Sequence, residues 1–166
     1  MSEKTATPTL PQPAQSASER RLKTWIVVAR THHAVCVAFE RSLKELGITS
    51  AQHELLANLL NAAPDGLSQK RLAELLFVTK GNITGLVKRL EERGLVARED
   101  DPEDRRKNIV TLTSEGAELA RASCEKQQEL VDVIFELFGA GEDRQLRDLM
   151  KLLREGTSSY EALLDE

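Results

Sequence analysis

Apolar residues return every three or four positions along much of this chain, which is the spacing of amphipathic helices. The first regular stretch predicts a long helix that begins at Ser18 and is stopped by Gly47. Its seam consists of Leu22, Trp25, Ala29, His32, Cys36, Phe39, Leu43 and Leu46. Because steps of three and four alternate without a break, we expect this face to be buried in the core or against a partner.

Polar caps mark the helices that follow. Thr49 predicts a second helix over about residues 50–62, and Ser68 predicts a short third helix. Thr79 predicts a fourth helix that ends at Gly94. The apolar face of this fourth helix, which we expect to pack inward, consists of Ile83, Leu86, Val87 and Leu90.

After the fourth helix, the spacing of apolar residues changes from about 3.6 positions, typical of a helix, to two, typical of a strand. Residues 95–98 and 108–112 predict two short strands of a β-hairpin around a charged loop. A fifth helix is predicted to start between Thr113 and Glu115 and to be broken at residues 139–141. The seam of this helix is Ala117, Ala120, Cys124, Gln127, Val131, Ile134 and Phe138. A last helix carries Leu146, Leu149, Leu153 and Tyr160.

These elements predict a mainly α fold with a small β-hairpin wing (α+β). The order is that of a winged helix-turn-helix with long N- and C-terminal dimerisation helices. Residues 1–17, rich in Pro, Ser and Thr, are predicted to be a disordered arm. We expect residues 18–48 and 113–166 to form a helical dimerisation region and residues 49–112 to form a DNA-binding lobe, in one intertwined domain.

Composition narrows the function classes. No stretch approaches the ~20 apolar residues of a membrane span, and no secretory signal is visible, so we expect a cytoplasmic protein without membrane contact. Its two cysteines form no CxxC pair. We expect no cofactor and no metal. We also expect no enzyme activity, because His53-Glu54 continues to Ala57, so the zinc-protease pattern fails.

The helix-turn-helix and the wing carry the polar and basic residues that DNA recognition needs. The N-terminal end of a recognition helix reaches base edges in the major groove, and cations near it reach phosphates. Residues 66–89 contain five basic residues and one acidic residue. On the wing loop, Arg106 suits a narrow minor groove, and Asp104 could hold its guanidinium in a fixed pose. The candidate DNA-binding residues are Ser68, Gln69, Thr79, Lys80, Gly81, Asn82, Thr84, Gly85, Lys88, Arg89, Asp104, Arg105, Arg106 and Lys107.

Residues 49–116 resemble the MarR (multiple antibiotic resistance regulator) family, most specifically in TGLVKRLEERGLVAR and in the Asp104-x-Arg106 wing signature. With the flanking helices the resemblance covers residues 18–164. It implies a homodimer that binds a pseudo-palindromic operator in double-stranded DNA as a ligand-responsive repressor. Gly85 stands where many members have Arg, so the resemblance does not define the operator sequence.

The resemblance also implies a pocket between the dimer helices and the DNA-binding lobe for a small aromatic or lipophilic anion. Trp25, Arg30, His32, Cys36 and His53 are the candidates for lining it. The same residues have structural interpretations: Trp25 as core, His32 as a satisfied interface histidine, and Cys36 as a buried thiol like Cys124.

Two other functions remain open at this point. A winged helix can serve as a protein-interaction module, although the polar recognition helix and the Arg-tipped wing argue against that use. A thiol-based redox-sensing regulator is the second alternative, with Cys36 or Cys124 as the sensing residue. Salt-dependent DNA affinity separates the regulator from the protein-interaction module.

Overall fold

The computed structural model describes residues 16–100 and 108–164, except for the side chains of residues 100 and 161. The helices are α1 (Ala17–Ser42), α2 (Ser50–Asn61), α3 (Gln69–Leu75), α4 (Lys80–Glu92), α5 (Ser114–Phe135) and α6 (Glu142–Leu164). A 3₁₀ turn covers Lys44–Leu46, and the strands are β1 (Leu67–Ser68), β2 (Val96–Asp100) and β3 (Asn108–Leu112). The predicted α+β class is confirmed.

Side-chain caps begin the central helices, as the sequence predicts. The Thr49 side chain accepts the backbone N–H of Gln52, and the Gln52 side chain accepts the N–H of Thr49, so α2 opens on a complete capping box. Thr79 and Thr113 cap α4 and α5 through the backbone N–H three residues ahead. Each cap satisfies a donor that has no partner inside its own helix.

The first helix differs from the prediction at both ends. Ser16 and Glu19 exchange hydrogen bonds of 3.2 and 2.9 Å in a capping box, so α1 begins at Ala17 rather than Ser18. At the other end α1 stops at Ser42, and the chain tightens into the 3₁₀ turn before Gly47, whose φ is +63°. The predicted seam therefore runs past the helix that carries it.

A three-stranded sheet replaces the predicted two-stranded hairpin. Its order is β1-β3-β2, and both pairings are antiparallel. Strand β1 has only two residues, with Leu67 opposite Val110 and Ser68 opposite Ile109. Because Ser68 is also the N-cap of α3, this strand fixes the start of the helix-turn-helix against the wing.

The chain divides into two compact units, one up to Val37 and the other from Ala38 onward. In the second unit, α2 to α5 and the sheet enclose a core of aliphatic side chains. Its fully or almost fully buried members include Leu55, Leu56, Leu59, Leu72, Ile83, Val87, Leu90 and Val110. Burying a side chain of this size stabilises the fold by about 1.5–3 kcal/mol.

Leu95 joins α4 to α5 through its backbone. Its N–H donates to the carbonyl of Leu90 at 3.0 Å, and its carbonyl accepts the N–H of Thr113 at 3.2 Å. The Thr113 hydroxyl donates to the carbonyl of Gly94 at 2.7 Å. Gly116 presses so closely on Leu95 that a Cβ there would overlap the Leu95 carbonyl.

The long helices leave many apolar side chains uncovered. No residue of α1 is buried, and Leu22 and Trp25 on its seam are more than half exposed. Helix α5 ends at Phe135, three residues before the predicted end of its seam at Phe138. Leu137, Leu149, Leu152, Tyr160 and Leu163 are also exposed. Among the described residues, no helix is long and apolar enough to cross a membrane.

His53 is a core histidine between α2 and α5. It is 1% exposed, its ring meets Phe39 edge-to-face at 4.9 Å, and its Nδ1 lies 2.9 Å from the Ser123 hydroxyl oxygen. That hydroxyl lies 2.8 Å from the Ala120 carbonyl, so it donates there and Nδ1–H donates to it. Burial disfavours the imidazolium and lowers the pKa of His53 from 6.5.

We expect acidification to destabilise the fold through His53. Because its pKa is lower in the folded chain, the unfolded chain takes up the proton first as the pH falls below 6.5. The contribution of His53 is complete above that pH and is lost as the pH falls through the folded pKa. Urea unfolding at about pH 8 and about pH 5 measures the difference. The exposed His33→Gln variant should keep the wild-type pH dependence, whereas an unchanged dependence in His53→Gln would contradict the assignment.

Candidate nucleic-acid interface

Helices α3 and α4 form the helix-turn-helix, and α4 has two distinct faces. Ile83, Leu86, Val87 and Leu90 are all buried, as the sequence predicts. On the opposite face, Thr79, Lys80, Gly81, Asn82, Thr84, Lys88 and Arg89 are exposed and Gly85 is half-buried. A Cβ at Gly81 or Gly85 would meet no atom within 4 Å, so the surface there is open to a ligand.

Polar contacts link the exposed face of α4 to the start of α3. The Thr84 hydroxyl oxygen lies 2.8 Å from the Lys80 carbonyl and 3.2 Å from Gln69 Oε1. Its single proton can serve either acceptor, so both groups keep capacity for an external partner. The Ser68 and Thr79 oxygens accept helix N–H groups as caps, which leaves their hydroxyl protons able to donate to a phosphate.

Positive charge is concentrated on this surface. Within the described part of the chain, Lys70, Lys80 and Arg89 have no carboxylate within 4 Å. Arg71 pairs with Glu74 at 3.2 Å, and Lys88 approaches Glu92 at 3.7 Å. Such exposed pairs are worth only about 0–1 kcal/mol, so all five cations remain able to approach phosphates.

The wing is defined up to its last paired residues. Strands β2 and β3 pair from Val96–Leu112 to Asp100–Asn108, and a seven-residue connection joins their ends. The candidate residues Asp104, Arg105, Arg106 and Lys107 lie in that connection, outside the described residues. Their role in DNA binding stays a prediction.

An ion pair missed by the sequence analysis ties the wing to the recognition helix. Nε and Nη2 of Arg98 on β2 both donate to the carboxylate of Glu91 on α4, with the Nε bond at 3.0 Å. The guanidinium holds the pKa of Glu91 below its usual value, and the carboxylate raises the pKa of Arg98. The two residues are seven positions apart on different elements, so no helical or strand spacing signals the contact.

The turn between the two helices contains an unexpected residue. Phe77 has φ +52°, in the left-handed region, and its side chain is 93% exposed. Its N–H donates to the Glu74 carbonyl at 3.4 Å, and the next N–H, of Val78, donates to Ala73 at 3.0 Å. The sequence analysis assigned Phe77 no role. An aromatic residue at the end of a helix, where glycine is common, is the signal that could have drawn attention to it.

The candidates for ligand binding fall in both units. Trp25, Arg30, His32 and Cys36 are exposed on α1, and His32 Nε2 lies 3.5 Å from Cys36 Sγ. Trp25 was expected to be core and Cys36 a buried thiol, and the single chain leaves both exposed. Cys124 is half-buried, and burial raises the pKa of its thiol.

No three metal-ligating side chains cluster within residues 16–100 and 108–164.

Comparison with known proteins points to one class of regulator. Residues 46–107 match the model of the MarR family. The organic hydroperoxide resistance transcriptional regulator of Bacillus subtilis is 33% identical over 118 residues, which cover 68% of this chain and 74% of that protein.

Two solved structures share the fold at low identity. MepR of Staphylococcus aureus, crystallised as a DNA complex, is 25% identical with a TM-score of 0.73; the match covers 78% of this chain and 96% of MepR. CouR of Rhodococcus jostii, crystallised with p-coumaroyl-CoA, is 27% identical with a TM-score of 0.71; the match covers 84% of this chain and 95% of CouR.

Proposed function

Because this chain belongs to the MarR family of DNA-binding transcriptional regulators, we propose that it is a homodimeric repressor that recognises a pseudo-palindromic operator. The exposed face of α4 carries the proposal. It is polar, it lies over a fully apolar buried face, and its cations Lys80 and Arg89 have no ion-pair partner among the described residues. We place its action in the cytoplasm and assign it no catalytic role.

Base recognition is assigned to the first turns of α4, and phosphate binding to the cations around it and to two neutral polar residues next to them. Asn82 and Thr84 are the proposed base-reading residues, because their side chains are exposed and can donate and accept hydrogen bonds. Ser68, Gln69, Lys70, Lys88 and Arg89 are the proposed phosphate contacts. Arg106 on the wing, with Asp104 to orient it, is the proposed minor-groove contact.

Enrichment of a random duplex library by the purified full chain tests this function. We expect one pseudo-palindromic sequence to emerge, with an affinity that falls by several decades between about 50 and 200 mM salt. Asn82→Ala should relax the sequence preference, and Lys88→Ala should weaken all duplexes alike and reduce the salt slope. Recovery of no preferred sequence, with weak binding that salt hardly changes, would favour the protein-interaction module instead.

A homodimer accounts for the apolar surface of the long helices. Leu22 and Trp25 on α1, and Leu137 and Leu149 at the other end of the chain, are each more than half exposed. Large exposed apolar patches mark interaction sites, and we infer that these residues belong to one. We expect sedimentation equilibrium at micromolar concentration to give twice the chain mass of 18.5 kDa, and a monomer would contradict the proposal.

We propose that a small aromatic anion modulates operator affinity. CouR, which is similar in fold, was crystallised with p-coumaroyl-CoA, an aromatic thioester with anionic phosphates. Trp25, Arg30, His32 and Cys36, all exposed on α1, are the candidate contacts. Titration of p-coumaroyl-CoA into the protein–operator complex should change the anisotropy in the wild type and less in Arg30→Ala.

Thiol chemistry is a second candidate, favoured by one contact. Cys36 is exposed, so an oxidant can reach its thiol, and its Sγ lies 3.5 Å from His32 Nε2. If Cys36 senses oxidants, cumene hydroperoxide should weaken operator binding by the wild type and by Cys124→Ser, and leave Cys36→Ser unchanged. Equal responses of the two serine variants would rule out a sensing role for Cys36.

A further inference from the structure

Phe77 is built into a position that the fold would fill better with glycine. The two hydrogen bonds after α3, from Phe77 to Glu74 and from Val78 to Ala73, are those of a Schellman motif, with Phe77 at the left-handed position. Glycine takes this backbone conformation without a steric penalty, whereas a residue with a Cβ pays one. The backbone therefore gives no reason for an aromatic residue here.

The side chain of Phe77 gives no stability in return. It is 93% exposed, so almost none of its apolar surface is removed from water. Among the described residues between 49 and 112, it is the only large hydrophobic residue that is exposed. A strained backbone that supports an exposed apolar side chain is the kind of outlier from which a functional role can be inferred.

The position of Phe77 points to DNA rather than to a second copy of the chain. It lies two residues before Thr79, the N-cap of α4, and three before Lys80, at the end of the recognition helix that faces base edges. The other exposed large hydrophobics lie on α1, on α5, on α6 and in the α5–α6 link, which we assign to the dimer. In the major groove the apolar group on a base edge is the 5-methyl of thymine.

We propose that Phe77 contacts the 5-methyl group of a thymine in each operator half-site, and so adds an apolar element to a recognition surface that is otherwise polar. This inference rests on the proposed function, since it requires that α4 lies in the major groove. It assigns to Phe77 a specificity role distinct from the hydrogen-bonding roles of Asn82 and Thr84.

Thymine-to-uracil replacement in the enriched operator tests the contact, because uracil lacks only the methyl group. We expect the wild type to lose roughly fourfold in affinity per half-site at one thymine position, as the loss of one buried methyl predicts. Phe77→Gly should bind both duplexes equally at that position. Phe77→Leu, which keeps an apolar side chain, should retain part of the preference.

The same variants provide the control for folding. Phe77→Gly relieves the left-handed strain, so its midpoint of urea unfolding should be equal to or above that of the wild type, and a loss of discrimination cannot then come from unfolding. The inference is overturned if Phe77→Gly keeps the wild-type ratio at every thymine, or if the wild type shows no such position. Failure to enrich any operator would instead contradict the proposed function.

Discussion

Gly116→Ala is expected to lower the free energy of unfolding by about 3 kcal/mol, the upper end of the range for overpacked sites. A Cβ at position 116 would overlap the carbonyl oxygen of Leu95 and lie 2.8 Å from its carbonyl carbon. Both atoms belong to backbone, and that carbonyl already accepts the N–H of Thr113, so the obstacle cannot rotate away. The overlap can be relieved only if α5 moves away from Leu95.

Urea unfolding followed by circular dichroism measures this effect, and Gly85→Ala is the matched control. Gly85 lies inside α4, and a Cβ added there would have no atom within 4 Å, so alanine should raise the free energy of unfolding by up to about 1 kcal/mol through helix propensity. Opposite signs for the two substitutions are the expected result. Two similar small changes would mean that α5 does not press on Leu95 in solution.

Arg106→Ala is expected to reduce operator affinity at least about tenfold and to lower the salt slope by about one for each protomer bound. We propose that Arg106 is the wing arginine that enters the minor groove, where the negative potential is strongest. The paired ends of β2 and β3, Asp100 and Asn108, support the connection that carries it. Fluorescence anisotropy at several salt concentrations gives both quantities.

Arg121→Ala is the control for the loss of one positive charge. Arg121 is exposed on α5, away from α3 and α4 in sequence, and we assign it no DNA contact. Its variant should keep operator affinity and salt slope close to those of the wild type. If Arg106→Ala and Arg121→Ala weaken binding equally, overall charge rather than wing insertion explains the effect.

Local sequence signals predicted most of the DNA-binding lobe. The caps at Thr49, Thr79 and Thr113 act on N–H groups three residues away, so their effect is visible in a short stretch of sequence. The inward face of α4 follows from helical spacing alone. By contrast, strand β1 has two residues and exists because of its pairing with Val110 and Ile109, about forty positions ahead, which no local pattern contains.

The environment of α1 was harder to predict than its helicity. Alternating three- and four-residue steps indicate a helix with an apolar face, but they do not say which surface covers that face. Trp25 and Cys36 were expected to be buried, and both are exposed in the single chain. The cap at Ser16 was missed because Glu19 directly follows Ser18, so Ser18 looked like the start of α1, whereas Glu19 bonds to Ser16 three residues before it.

The sequence predicts the polar candidates for the site, and the apolar candidate Phe77 comes from the structure. Lys80, Asn82 and Thr84 are donors and acceptors near a helix start, which is a recognisable signature. Phe77 became informative only when its left-handed backbone and its exposure were both known. The contact of Glu91 with Arg98 depends on how β2 crosses α4, which is a tertiary property.

The backbone of Leu95 connects α4 to α5. Its N–H is bonded to Leu90 of α4 and its carbonyl to Thr113, the N-cap of α5, so two backbone hydrogen bonds connect the ends of the two helices. In a homodimer, we expect a rotation of α5 to be passed on to α4 through these two hydrogen bonds. The distance between the two recognition helices, and with it the fit to the operator spacing, would then depend on the dimer helices.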